Sequence, residues 1–253
     1  MTAARIPFLD LHPGEDAADV QRAIDRVVAS GWFVLGPELE AFEREFAAAS
    51  GAREAVGVAT GTDAIALLLR AAGIGAGDEV IVPAITAAYT ALAVIQSGAT
   101  PVIVDVDRDT LTIDPHAFAA AVTARSRAVV PVHLYGQAAD LDAIRTVAAR
   151  HALLVVEDCC QAHLATHDGV PVGTTTTGGA FSFYPTKNLG ALGDAGAIVT
   201  NDAALASRIR RLRNGGQAER YVHVEPGVNS RLDELQAAVL RARLPYLGPW
   251  TAR

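Results

Sequence analysis

Apolar, β-branched runs recur along the chain: "AVGVAT" (55–60), "EVIVP" (79–83), "TPVIVDV" (100–106), "AVVPVHL" (128–134), "LLVVED" (153–158), "AFSFY" (180–184) and "GAIVT" (196–200). The first five are near-continuous rather than alternating, which predicts strands covered on both faces. Helix-period stretches lie between them at 62–73, 86–97, 115–123 and 140–151. Strand starts at 55, 79, 100, 128 and 153 are 24, 21, 28 and 25 residues apart, the repeat length of a βαβ unit. The pattern predicts an α/β fold: a mostly parallel sheet of about seven strands with helices on both faces. Two amphipathic stretches, 15–30 and 38–50, precede the sheet and are split by "GWFVLGP"; helices at 203–214 and 230–244 follow it. There is no internal repeat beyond the βα rhythm and no low-complexity linker.

Composition narrows the class. The chain has 253 residues, 51% hydrophobic and 19% charged, which is ample for a core and wrong for disorder. A net charge of −7 disfavours nucleic acid and anionic membranes as partners. The only cysteines are the neighbours Cys159 and Cys160, a poor disulfide and a poor zinc site, so no metal is expected. Free thiols, an opening "MTAARIPFLDLHPGED" without an apolar core, and no apolar run near ~18 residues together predict a cytoplasmic protein.

Ligands of open α/β sheets bind outside the carboxyl ends of the strands, so those ends hold the candidate chemistry. "ATGTDAIALLL" puts Gly61 and Thr62 at a strand-to-helix junction, where bare N–H groups make an anion seat; the plainer reading is a helix capped by Thr62 or Asp63. The chain contains neither a G-x-x-x-x-G-K loop nor a dinucleotide fingerprint, which disfavours a nicotinamide-dependent reductase. Asp158 ends a very apolar strand and Lys187 follows a bend at Pro185. Singly, these are a capping carboxylate and a loop lysine. Together they describe a desolvated amine and a buried acid in want of a cation. Pyridoxal 5'-phosphate needs both, plus an anion cradle.

Several segments resemble, in order, the DegT/StrS family of nucleotide-sugar aminotransferases, fold-type-I pyridoxal-phosphate enzymes. They are "IPFLDL", "GWFVLGPELEAFEREFA", "GTDAIALLLRAAGIGAGDEVIVPA", "SGATPVIVDVDRDTLTIDP", "VVPVHLYGQAADLDAI", "VVEDCCQAH", "AFSFYPTKNLGALGDAGAIVTND" and "NSRLDELQAAVL". The resemblance implies that Lys187 is the Schiff-base lysine and proton shuttle, and that Asp158 is the pyridinium partner. It places Gln161 near the ring hydroxyl, Gly61, Thr62, Asp63 and Ser182 around the phosphate, and Asn229 against the phosphate held by a neighbouring subunit. A homodimer with shared sites follows. The reaction implied is transfer of an amino group from L-glutamate, released as 2-oxoglutarate, to a nucleotide-linked keto-deoxysugar. "VHLYGQ" is more similar to members acting on 3-keto-6-deoxy sugars, which suggests a dTDP-3-keto-6-deoxyhexose. Retention of Lys187 disfavours the dehydratase branch, which carries histidine there. Tyr135 and His163 are candidate substrate contacts, His163 being equally readable as a satisfied helix-start histidine.

Two departures stand out. Ala87 occupies the position of the family's ring-stacking aromatic, and Tyr89, two residues on, falls on the wrong face of a helix, so either Tyr89 substitutes through a shifted backbone or the stacking is lost. The resemblance also implies a C-terminal small domain beyond residue 253. The expected organisation is therefore an N-terminal helical segment (1–52), a cofactor-binding α/β domain (53–229) and the start of a linker (230–253). That ending motivates an alternative: a truncated, non-catalytic member that dimerises with or regulates a full-length aminotransferase.

Overall fold

A computed structural model describes residues 9–253. The opening of "IPFLDL" and the start of the expected 1–52 segment lie outside the described residues. Two helices, α1 (Ala17–Ser30) and α2 (Pro37–Ala49), lead into β1 (Glu54–Val58), α3 (Gly61–Ala71), β2 (Glu79–Pro83), α4 (Tyr89–Ser97), β3 (Thr100–Val104), α5 (Pro115–Ala120), β4 (Ser126–Val129), α6 (Leu141–Arg150) and β5 (Leu154–Asp158). A short hairpin, β6 (Thr166–His167) and β7 (Val170–Pro171), precedes β8 (Gly178–Ser182) and β9 (Gly196–Thr200). Then come α7 (Ala203–Leu212), the hairpin β10 (Gln217–Glu219) and β11 (Val222–His223), α8 (Glu234–Arg243) and α9 (Leu247–Ala252).

All seven apolar runs form strands of one sheet, ordered β1-β9-β8-β5-β4-β2-β3. The pairs β8–β5, β5–β4, β4–β2 and β2–β3 are parallel, whereas β9 is antiparallel to both its neighbours. The connection 183–195 explains the exception. It carries no helix, and without a crossover the chain can only return antiparallel.

Alternation along β8 sends Ala180 to the face covered by α3 and α7, and Phe181 to the face covered by α2 and α8. On the latter face Phe42 and Phe46 meet the Phe183 ring edge-on, with centroids 5.4 and 5.0 Å away. Leu232, Ala237, Leu240 and Leu247 are buried in the same cluster, so much of the segment expected to begin a linker packs into the body. The gap between α1 and α2 is closed by a distant side chain. Buried Glu234 of α8 accepts N–H bonds from Gly36 (2.9 Å), Glu38 (2.8 Å) and Leu39 (3.0 Å), capping α2 where Gly36 offers no side chain.

Three expectations shift. β3 is the sheet edge and Ile103 on it is 62% exposed, so this strand is not covered on both faces despite its apolar run. The run 128–134 is cut at Val129 because Pro131 has no N–H for the ladder; Val132 keeps only an isolated bridge to Asp158. The helix expected over 86–97 starts at Tyr89. No helix of the described residues is long and apolar enough to cross a membrane.

Candidate active site

A cleft of about 550 Å³ opens at the carboxyl ends of the strands, walled by Gly61, Thr62, Asp158, Gln161, Ser182 and Lys187. Six of the eight expected site residues therefore share one cavity. Asp63 and Asn229 do not line it. Thr60 is the N-cap of α3, its Oγ1 accepting the Asp63 N–H at 3.0 Å, in place of a cap by Thr62 or Asp63. The Asp63 carboxylate turns aside to Ser230 Oγ and Gln96 Nε2, both at 2.7 Å. Asn229 is exposed and bridges Asn214 through its backbone.

The N–H groups of Gly61 and Thr62 find no acceptor among the described residues, and both residues line the cleft at the positive end of α3. Only glycine fits at 61: a Cβ there would lie 2.7 Å from Ser182 Cβ and 2.8 Å from Cys160 Sγ.

Asp158 is 5% exposed. Its Oδ2 accepts from Thr90 Oγ1 at 2.8 Å and its Oδ1 from the Cys160 N–H at 3.1 Å. Among the described residues no cation stands within salt-bridge reach, so a buried carboxylate faces the cleft with neutral donors alone. Cys160 feels it: burial, then the Asp158 charge, push the thiol well above its usual range, and Lys187 pulls the other way.

Lys187 rides the bend after β8. Its own N–H closes on Tyr184 O (2.8 Å), and fully buried Leu189 anchors the loop. The ε-amine has no acceptor among the described residues. It is also the only lysine in the sequence; the other twenty of the 21 Lys and Arg residues are arginines. Gln161 Oε1 accepts the Tyr135 N–H at 3.0 Å, which leaves its N–H₂ as the group free to donate. Tyr135 sits at φ +52, an unusual conformation for a non-glycine residue.

Tyr89 and Ala87 both line the cleft. α4 begins at Tyr89 with Ala88 as its N-cap, so Ala87 lies before the helix and the two side chains reach the same cleft. Sequence reasoning passed over Thr90, Cys160 and Asp194, which also line the cleft. Thr90 left a trace, as a polar residue in an otherwise apolar helix turn.

His163 is neither satisfied nor at a helix start. Both ring nitrogens are buried without a hydrogen-bond partner among the described residues, and the ring packs 5.5 Å from Phe181 and 5.6 Å from Phe183. Burial, reinforced by the Lys187 charge, holds its pKa down to about 4 from 6.5; the Ser182 backbone works the other way without reaching hydrogen-bond geometry. The unfolded chain therefore takes up a proton at His163 below pH 6.5, and the folded chain only near pH 4. Stability from this residue is complete above pH 6.5 and is lost as pH falls to 4, about 3 kcal/mol in all. His163→Phe should flatten that stretch of the profile, read as urea midpoints at pH 7.5 and 5. An unchanged slope would discard the assignment.

The sequence matches the family described as DegT/DnrJ/EryC1/StrS aminotransferases over residues 15–253. It is 53% identical over 251 residues to a dTDP-3-amino-3,4,6-trideoxy-alpha-D-glucose transaminase of Streptomyces venezuelae, covering 98% of this chain and 66% of that protein. It is 54% identical to the erythromycin biosynthesis sensory transduction protein EryC1 of Saccharopolyspora erythraea, covering 98% and 68%. Among solved structures, S. venezuelae DesV in complex with a ketimine intermediate superposes with a TM-score of 0.95 at 53% identity, over 98% of this chain and 68% of that one. The chain thus spans about two thirds of the length of the curated relatives it matches.

Proposed function

The chain belongs to the DegT/DnrJ/EryC1/StrS aminotransferase family, and from that premise we propose that it serves pyridoxal-phosphate-dependent transfer of an amino group from L-glutamate to a nucleotide-linked keto-deoxysugar. The observation that carries this reading is one cleft walled by the sole lysine, an unpaired buried carboxylate and a bare helix N-terminus. The residues fit the cofactor. Gly61 and Thr62 offer two N–H donors to a phosphate, in a cradle that an added Cβ would fill. Buried Asp158 would hold a ring N–H⁺, Gln161 offers its N–H₂ to a ring oxygen, and the Tyr89 ring stands at the cleft wall.

When bound, pyridoxal phosphate supplies an aldehyde that condenses with primary amines and a protonated ring that takes up an electron pair. The protein's part is positioning and proton transfer. Lys187 presents a half-buried ε-amine that can bond to carbon or, once displaced, carry the proton from the donor's α-carbon. Asp158 stands in a buried, low-dielectric wall, where a carboxylate holds a cation more firmly than it would in water. Thr90 and the Cys160 N–H fix that carboxylate's orientation. The relative from S. venezuelae, named for a 3-amino dTDP-sugar, supports a dTDP-3-keto-6-deoxyhexose as acceptor. Exposed Asn229 is in keeping with a homodimer in which it reaches a second copy's phosphate. The free thiols accord with a cytoplasmic setting.

Gly61→Ala tests the phosphate seat. Cofactor affinity, titrated by absorbance, is expected to drop at least tenfold. A drop under twofold would put the phosphate elsewhere.

A further inference from the structure

Behind Asp158, on the opposite side of β5, lies a polar pair that the proposed chemistry does not use. His133 and Glu157 are both fully buried, and His133 Nε2 meets Glu157 Oε2 at 2.8 Å. With the Cys159 thiol they bring potential metal-ligand atoms within 4.8 Å of one another. Their hydrogen bonds describe something else. The Ala139 N–H donates to His133 Nδ1 at 3.0 Å, so the ring proton is on Nε2 and points at Glu157. Glu157 Oε2 also accepts the Gly173 N–H at 2.7 Å, and Oε1 accepts Thr176 Oγ1 at 2.6 Å. Thus both imidazole nitrogens are engaged, and three neutral donors surround the buried carboxylate.

His133 is the hub. Its backbone N–H donates to Asp158 O at 3.1 Å, carrying the pairing past the break at Pro131. Its Nδ1 ties down Ala139, so its bonds bracket the turn in which Tyr135 holds its left-handed backbone and Gly136 follows at φ +84. That turn gives the N–H that fixes Gln161 Oε1. We propose that the His133–Glu157 pair is a positioning device. From the reverse face it sets the strand end that presents Asp158, and through the Tyr135 turn it sets which end of the Gln161 amide faces the cleft. This rests on the pyridoxal-phosphate reading above, since Asp158 and Gln161 matter as cofactor contacts.

Three variants test it. Glu157→Ala removes the acceptor and His133→Phe removes both ring nitrogens. Glu157→Gln keeps an oxygen for His133 and Gly173, while its N–H₂ can donate to the Thr176 hydroxyl. Pyridoxal phosphate is titrated into each unreacted protein, following tryptophan fluorescence and the visible band, with circular dichroism as the check on folding. Glu157→Ala and His133→Phe should bind at least tenfold more weakly with a displaced band, and Glu157→Gln within threefold of the parent. Folded Glu157→Ala or His133→Phe that binds like the parent overturns the proposal. So does Glu157→Gln falling as far as Glu157→Ala. Should the first two variants not fold, ¹⁵N spectra of the parent's imidazoles decide: His133 must show an Nε2–H tautomer at pH 7, and an Nδ1–H form or an imidazolium refutes it. A parent protein that takes up no pyridoxal phosphate would instead strike at the cofactor reading, leaving the tautomer test standing.

Discussion

Lys187→Ala is expected to abolish amino transfer, by at least about 10³-fold, because in the proposed reaction one amine is both nucleophile and proton carrier. Lys187→Arg should fail equally. Guanidinium keeps the positive charge but neither loses its proton nor forms the required bond. Comparing the two separates chemistry from charge. The composition makes a second readout unusually clean, since no other lysine exists to compete. Borohydride reduction of the cofactor-loaded protein, in which imine formation expels water and reduction adds two hydrogens, should add the mass of one cofactor less one oxygen to the parent chain and none to either variant. If a variant acquires that mass as fully as the parent, the assignment of Lys187 fails.

Glu234→Ala carries the largest expected cost in stability. Its carboxylate is 1% exposed and serves three backbone donors at the start of α2, a helix whose own N-cap is a glycine. Truncation leaves those donors buried and unpaired and removes a negative charge from a positive helix end, a loss of about 3–5 kcal/mol. For a chain of this size that corresponds to a fall of about 10 °C in melting temperature. Glu234→Gln should lie between the two, because one amide oxygen can still take the Gly36 and Leu39 N–H groups. Urea midpoints of the three proteins check the order; a Glu234→Ala loss under about 1 kcal/mol would show that the helix start finds other acceptors.

How much of this was legible in the residues depended on whether the signal was local. The seven strands were, since each is an apolar run bounded by turn residues, and so were Asp158 and Lys187, because strand ends are where α/β ligands bind. Edge position was not. "TPVIVDV" reads as apolar as its neighbours, and only the strand order leaves Ile103 in solvent. The orientation of Asp63 likewise depended on Ser230 and Gln96, far along the chain. Whether Tyr89 could reach the cleft depended on where α4 starts, which the helical period alone does not fix to the residue. The unpaired state of His163 has no sequence signature, because it records what failed to arrive beside the ring. Glu234 lay inside a quoted motif, yet nothing in "NSRLDELQAAVL" names the amides of Gly36, Glu38 and Leu39 as its partners.

The placement of β9 has a consequence for how the molecule comes into being. Among the described residues β1 has a single ladder partner, and that partner spans Gly196–Thr200. A nascent chain leaving the ribosome must therefore hold β1 unzipped until residues 196–200 have been made, a long-range closure that slows assembly and invites off-pathway pairing. The proposed anion seat at Gly61 hangs directly from that strand, so it should be among the last features to mature.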